Sequence, residues 1–119
     1  MTPSPDTPTR TWADIRLGTL ARNWRHLRSQ VPDGDDVAAV VKADAYGHGL
    51  LPVARAAAAA GARRFAVATL DEAVALRRDG VPHEILLLAP LLPEEAETAA
   101  RNDIVPFVSG AGYLDAMAE

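Results

Sequence analysis

The sequence of 119 residues contains no cysteine, which excludes a disulfide framework and a thiolate metal site. Its three histidines, His26, His48 and His83, are too far apart for the short spacing of a zinc motif. No apolar run approaches the roughly 20 residues that cross a bilayer, and the N-terminus lacks the basic and apolar segments of a signal peptide. We therefore expect no metal centre, no membrane span and, by default, a cytoplasmic location.

Basic charge is also scarce. Twelve Lys and Arg residues face sixteen Asp and Glu residues, and the net charge is −4. Binding to a phosphate backbone needs a basic stripe or patch, and the cationic residues here are scattered along the chain. Nucleic acid is therefore not an expected partner. The hydrophobic content of 49% is sufficient for a folded core.

The amino-terminal segment divides into two parts. Residues 1–11, MTPSPDTPTRT, contain three prolines and nothing to bury, so they predict a disordered leader before a domain at residues 12–119. Residues 12–15 are a candidate short strand. The apolar residues that follow recur every three or four positions, which predicts one face of a helix that ends before Pro32: Leu17, Leu20, Trp24, Leu27 and Val31.

From residue 37 onward, a unit of apolar strand, loop and helix repeats. Continuous apolar runs are typical of parallel strands that are covered on both faces, and they predict strands at residues 37–41, 65–68, 85–88 and 104–108. The helices between them have recognisable ends. These signals are terminal glycines at Gly61 and Gly80, a capping box from Thr69 to Glu72, Pro93 in a first turn, and Ser109 as the cap of the last helix.

Four strands alternating with four helices predict a parallel α/β domain with right-handed crossovers. Two closures fit this pattern, a doubly wound open sheet and the first half of a TIM-type (β/α)8 barrel. A complete barrel needs about 250 residues, and the chain ends at Glu119 within the repeating pattern. We therefore expect a fragment of a longer protein, and the local pattern does not decide between the two closures. The two common nucleotide-phosphate motifs, G-x-G-x-x-G and the P-loop, do not occur.

One segment, VVKADAYGHG at residues 40–49, combines residue types that suit covalent chemistry. Lys42 lies at the carboxyl end of the first strand, where parallel α/β folds build their sites, and Val40 shares its face of the strand. Burial disfavours the ammonium form of a lysine, and a neutral amine condenses with an aldehyde such as pyridoxal phosphate (PLP). Tyr46 could direct its phenol to the same mouth, and the two glycines allow backbone to approach a ligand.

Each of these residues alone has an ordinary explanation. A lysine at a strand end usually extends its charge into solvent along its own stem. Tyr46 alone fits the edge of a core, and the glycines and His48 fit an unremarkable loop. A plain α/β interaction domain with a solvated Lys42 therefore remains an alternative.

The same segment closely resembles the PLP-attachment signature of alanine racemases, AVVKANAYGHG, with Asp44 where asparagine is more usual. The flanking sequence WADIRLGTLARNWRHLR is similar to the family's opening strand and helix, FAVATLDEAVALR to its second strand and helix, and ILLLAP to its third strand. The resemblance covers nearly everything from Trp12 onward, and it implies the first half of a TIM-type (β/α)8 barrel, incomplete in this chain. Other PLP barrel families, such as the amino-acid decarboxylases and the small PLP-homeostasis proteins, also place a lysine on the first strand but lack AYGHG.

The resemblance implies roles for four residues. Lys42 matches the Schiff-base lysine, which is also the base on one face of the substrate's α-carbon. Tyr46 matches the tyrosine that hydrogen-bonds the PLP phosphate, and Val40 and Leu88 fall beside the cofactor ring. The implied activity is the interconversion of L-alanine and D-alanine by a homodimer, which supplies D-alanine for peptidoglycan.

Other parts of the family's site have no counterpart in the sequence. The family uses a second base, a tyrosine from the C-terminal domain of the partner subunit, and an arginine at the pyridine nitrogen. Tyr113 lies in the last predicted helix, where a packing role is expected. We therefore expect the 119-residue chain alone not to racemise alanine. A non-catalytic PLP-binding module and a racemase of another small amino acid such as serine stay open as alternatives.

Overall fold

The computed structural model describes residues 11–118, so the predicted leader at residues 1–11 lies outside the described residues except for Thr11. Within this range the chain forms nine main elements, which alternate after the first helix. In chain order they are α1 (Leu17–Ser29), β1 (Ala38–Val40), α2 (Leu50–Ala59), β2 (Arg64–Val67), α3 (Leu70–Arg78), β3 (Glu84–Leu87), α4 (Ala96–Arg101), β4 (Ile104–Val105) and α5 (Ala111–Ala118). A 3₁₀ turn at Pro93–Glu95 leads into α4, and Lys42–Tyr46 form a further helical turn.

The four strands form one parallel sheet in the order β1-β2-β3-β4. A doubly wound sheet reverses its strand order at a switch point, and this order contains no reversal. The strand order therefore decides between the two closures that the sequence allows. It is the winding of the first half of a TIM-type barrel, and the predicted fold class is confirmed.

The two faces of the sheet differ in their covering. Alternate strand residues form the core against α1 to α4 and are almost fully buried, among them Val41, Phe65, Val67, Ile85 and Leu87. The residues between them point to the other face, where the register aligns Val40, Ala66, Leu86 and Val105 in one row. Val40 is 43% exposed and Val105 39% exposed. In a complete barrel this second face lines the interior.

Most of the predicted helix ends are confirmed. Gly61 and Gly80 follow α2 and α3 with φ values of 103° and 88°, a left-handed conformation that glycine adopts without strain. Thr69 and Glu72 form the expected capping box at the start of α3. None of the helices in the described part of the chain is long and apolar enough to span a membrane.

Three predicted elements differ from the structure. Residues 12–15 form no strand, because none of the described strands pairs with this segment. The fourth strand is only Ile104–Val105, since Pro106 has no N–H to donate to a ladder. The last helix begins at Ala111 and the Gly110 carbonyl accepts a hydrogen bond from Tyr113 N–H at 3.2 Å, so Ser109 is not its cap.

Candidate active site

Lys42 lies two residues beyond Val40, the last residue of β1, at the carboxyl end of the sheet, and Val41 between them leaves the extended conformation with φ of −123° and ψ of 19°. Sheet hydrogen bonding continues past the strand ends, because Val41 N–H donates to Ala66 O at 2.9 Å and Leu88 N–H donates to Val67 O at 2.8 Å. By alternation from Leu86, Leu88 also faces the uncovered side. The structure thus brings Val40 and Leu88 to one face of the sheet, and Lys42 follows Val40 at the carboxyl end of that sheet.

The carboxyl end of the sheet carries exposed apolar side chains and one amine, that of Lys42. Val40 is 43% exposed and Leu88 is 44% exposed, so both offer apolar surface on the open face. Lys42 is half-buried and has no salt bridge to any described residue. It is also the only lysine in the sequence. An amine without a carboxylate partner is available to react with a carbonyl compound at this position.

The chain immediately after Lys42 turns in the left-handed sense. Ala43, Asp44, Ala45 and Tyr46 have φ values of 51°, 56°, 52° and 57°, and we call residues 43–46 the left-handed turn. Left-handed helical backbone costs an L-residue roughly 1–2 kcal/mol because its Cβ approaches the following carbonyl. Four consecutive residues in this conformation need compensating bonds. The sequence pattern did not predict this turn, because its residues are ordinary helix formers.

Asp44 provides several of the compensating bonds. Its side-chain Oδ1 accepts a hydrogen bond from Leu50 N–H, the first residue of α2, at 2.8 Å. Its carbonyl accepts from Gly49 N–H at 2.9 Å and from Gly47 N–H at 3.1 Å. Asp44 therefore joins the left-handed turn to the start of the next helix. Two properties of aspartate could have indicated this role, since it tolerates the left-handed region and caps helix starts.

The remaining residues of the segment have different surroundings. Tyr46 ends the left-handed turn and is 59% exposed, so its phenol is accessible at the carboxyl end of the sheet. Gly47 and Gly49 have φ values of 83° and 95°, which an L side chain rarely adopts. A Cβ on Gly47 would meet nothing within 4 Å, so the backbone conformation itself requires glycine there. The ring Nδ1 of His48 lies 2.9 Å from Ala45 O.

Tyr113 is not part of this arrangement. It lies in α5 and packs against the core, as expected, and its hydroxyl accepts a hydrogen bond from Leu91 N–H at 2.7 Å. Among residues 11–118, no group of three or more potential ligands could hold a metal ion.

A singly wound parallel sheet of four strands with a lysine just after the carboxyl end of the first strand defines the first part of a barrel-type α/β domain. The family model of the alanine racemase N-terminal domain matches residues 15–119. The chain therefore belongs to the alanine racemase N-terminal domain family.

Individual racemases are similar to this chain in sequence and in structure. An alanine racemase from Geobacillus stearothermophilus is 46% identical over 105 residues, which are 88% of this chain and 27% of the relative. The crystal structure of alanine racemase from E. faecalis superimposes with a TM-score of 0.86 at 34% identity, covering 88% of this chain and 28% of that one. A histidine racemase from Leuconostoc mesenteroides gives a TM-score of 0.79 at 32% identity, covering 86% and 27%. The chain thus spans about a quarter of the length of its relatives.

Proposed function

We propose that this chain forms the lysine-bearing part of a PLP-dependent alanine racemase, which interconverts L-alanine and D-alanine. The observation that supports the proposal most directly is the position of Lys42, without a salt bridge to any described residue, just after the carboxyl end of β1. The similarity to alanine racemases over 88% of the chain supports the reaction. By the same resemblance, the full-length enzyme is a cytoplasmic homodimer that supplies D-alanine for peptidoglycan.

The described residues fit one side of a PLP molecule. The amine of Lys42 can condense with the cofactor's aldehyde, and the exposed side chains of Val40 and Leu88 offer an apolar wall for its ring. The exposed phenol of Tyr46 is a donor for the phosphate. When bound, PLP delocalises the negative charge that forms on the substrate's α-carbon. Under this proposal, Lys42 holds the cofactor and then moves the proton on one face of that carbon.

Racemisation also needs a proton donor on the opposite face. Tyr46 is assigned to the phosphate, and Tyr113 is committed to packing and to its hydrogen bond with Leu91. We therefore propose that residues outside this chain provide the opposite base, and that the 119 residues alone do not racemise alanine. Formation of D-alanine by the purified chain with PLP would contradict this.

Covalent capture of PLP tests the role of Lys42. The chain is incubated with PLP, reduced with borohydride, digested and analysed by mass spectrometry. We expect one reduced adduct on the peptide that contains Lys42, because the only other primary amine is the amino terminus. The variant Lys42→Arg keeps the positive charge but cannot form the adduct. Labelling of the amino terminus alone in the unsubstituted chain would refute the assignment and favour the plain interaction domain.

The identity of the amino acid is a separate question. The structural similarity to a histidine racemase shows that this type of half-barrel also occurs in an enzyme with another substrate. We therefore propose, as the second candidate, a racemase of a different amino acid such as serine. Chiral chromatography of alanine, serine and histidine after incubation with the complete gene product distinguishes the candidates. PLP binding without racemisation of any of them would favour the non-catalytic module.

A further inference from the structure

Asp44 links the two parts of the loop that follows β1, and nothing above assigns it a function. We propose that Asp44 is a positioning residue of the cofactor site. The side-chain Oδ1 of Asp44 holds the left-handed turn in place. The turn then determines the orientation of Lys42 and Tyr46 at the carboxyl end of the sheet. This inference rests on the proposed function, since it concerns the affinity of the same site for PLP.

The start of α2 shows why Asp44 is needed. The residue before the helix is Gly49, which has no side chain to cap it, and the first turn contains no acidic residue. The first N–H groups of a helix have no partner within the helix. Leu50 N–H finds its partner in Asp44, six residues earlier, at 2.8 Å. The start of α2 is therefore capped by the left-handed turn itself.

The same bond closes the turn. On its amino-terminal side the turn is held by Ala45 N–H, which donates to Val41 O at 2.9 Å directly after the sheet. On its carboxyl-terminal side it is held by the side chain and the carbonyl of Asp44. Lys42 precedes the turn and Tyr46 ends it, so both depend on its conformation. Without the Leu50 bond, the strained residues can relax toward the right-handed or extended backbone that L-residues prefer.

The hydrogen-bond acceptor, rather than the charge, is the part of Asp44 that this geometry uses. Asparagine offers an equivalent side-chain oxygen at the same distance from the backbone, and it also tolerates the left-handed region. Glutamate keeps the charge but places its oxygens one carbon further away. The two substitutions therefore separate the acceptor position from the charge.

The experiment measures two properties of the chain and of its Asp44→Ala, Asp44→Asn and Asp44→Glu variants. The first is amide hydrogen exchange at Leu50 without cofactor. The second is the apparent dissociation constant for PLP, from absorption titration with borohydride capture. Asp71→Ala is the matched control, because Asp71 is an exposed carboxylate in the first turn of α3.

We expect Asp44→Ala to speed exchange at Leu50 and to weaken PLP binding about tenfold, because losing one charge-assisted hydrogen bond lowers the population of the left-handed turn by about that factor. Asp44→Asn should stay within about threefold of the parent, because it loses only the interaction of the charge with the helix dipole. Asp44→Glu should resemble the alanine variant, and Asp71→Ala should resemble the parent. If Asp44→Ala does not fold, the contrast between the asparagine and glutamate variants provides the test.

Two results would overturn the proposal while the proposed function survives. In one, Asp44→Ala exchanges faster at Leu50 but binds PLP like the parent, so that Asp44 is only a helix cap. In the other, Asp44→Asn binds as weakly as Asp44→Glu, so that the acceptor is not what matters. If the parent chain itself forms no adduct on Lys42, the proposed function fails first, and the inference fails with it.

Discussion

The two ends of the β-sheet are built in different ways. At the carboxyl end, four left-handed residues follow Lys42, and Lys42 has no ion-pair partner in the described structure. At the amino end, the guanidinium of Arg77 donates hydrogen bonds to four backbone carbonyls, those of Val81, His83, Asn102 and Asp103. Strained left-handed backbone is concentrated at the carboxyl end of the sheet. Hydrogen bonds from the side chain of Arg77 hold the amino end.

We expect this difference to separate PLP binding from stability. The loops that enter β3 and β4 are both held by Arg77, and Arg64 in β2 pairs with Glu84 in β3 at 2.6 Å and with Asp36, just before β1, at 3.5 Å. Asp103 shows that strain also occurs at the amino end, with φ of 52°, but its carbonyl is one of those that Arg77 binds. Barrel enzymes place their sites at the carboxyl end and use the opposite end for stability. The two ends should therefore respond differently to substitution.

The largest expected effect comes from Arg77→Ala. The side chain of Arg77 is only 16% exposed, and its removal leaves four carbonyls without their donor. We expect the free energy of unfolding to fall by about 3 kcal/mol, the sum of several modest hydrogen bonds to a charged group. Urea denaturation followed by circular dichroism measures this change.

The neighbouring Arg78→Ala is the control for Arg77, because Arg78 is exposed and makes no side-chain hydrogen bond or salt bridge to a described residue. Its unfolding free energy should stay within about 0.5 kcal/mol of the parent. Both variants should still form the PLP adduct on Lys42 under conditions in which they are folded. Loss of the adduct in folded Arg77→Ala would contradict the separation of the two ends.

At the carboxyl end, Gly47→Ala should cost about 1–2 kcal/mol, because alanine is strained at a φ of 83°. No atom lies within 4 Å of the added Cβ, so the effect is purely one of backbone conformation. Gly112→Ala is the matched control, since Gly112 lies in α5 without a positive φ and also has open space around its Cβ. Unlike Arg77→Ala, Gly47→Ala should weaken PLP capture by the folded chain. Equal capture would show that the left-handed turn does not shape the site.

The sequence predicted the strand and helix elements better than this turn. Apolar runs, terminal glycines and the capping box are local signals, so the alternation of strands and helices could be predicted from them. The choice between an open and a barrel winding needed the strand order, which depends on long-range pairing. Resemblance of the motif favoured the barrel before the order was known.

The site was predictable only in part. The position of Lys42 directly after the carboxyl end of β1 was predictable from the apolar run, but the alternation that would put it on the face of Val40 is interrupted at Val41. The left-handed turn was not predictable, because alanine and tyrosine give no local signal for positive φ. Its conformation depends on bonds such as that from Leu50 N–H to Asp44, which close only when α2 is in place. Aspartate tolerates the left-handed region and caps helix starts, but only the structure shows that the partner of Asp44 is Leu50 N–H.

A smaller effect is expected at the second loop of the carboxyl end. Thr69 caps α3 in an extended conformation, with its hydroxyl 3.3 Å from Glu72 N–H. Thr69→Ala should lower the unfolding free energy by about 1 kcal/mol without weakening PLP capture by the folded chain. Thr98→Ala, an exposed position within α4, is the control. A loss of PLP capture in Thr69→Ala would mean that the second loop, like the first, shapes the site.

The smallest effect is expected from the Arg55–Asp79 pair, which joins α2 to α3 at the amino end, with Arg55 Nε 2.7 Å from Asp79 Oδ2. The hydrogen bond from Arg55 is the main cause that lowers the pKa of Asp79 below its ordinary value of 3.8, and the positive charge of Arg55 acts in the same direction. A lowered pKa in the folded state means that the pair stabilises the protein fully above the ordinary value and loses this contribution as the pH falls through the folded value.

Unfolding of the parent and of Asp79→Asn should therefore be compared between neutral pH and pH values below 3.8. We expect a small difference that is constant near neutrality and shrinks in acid, because protonated Asp79 and asparagine are both neutral. Arg55→Gln should show the same pH dependence, since it removes the other partner, and PLP capture near neutral pH should be unchanged in both variants. A difference that grows in acid would mean that Asp79 is stabilised in its protonated form, and the amino end would then not depend on this ion pair.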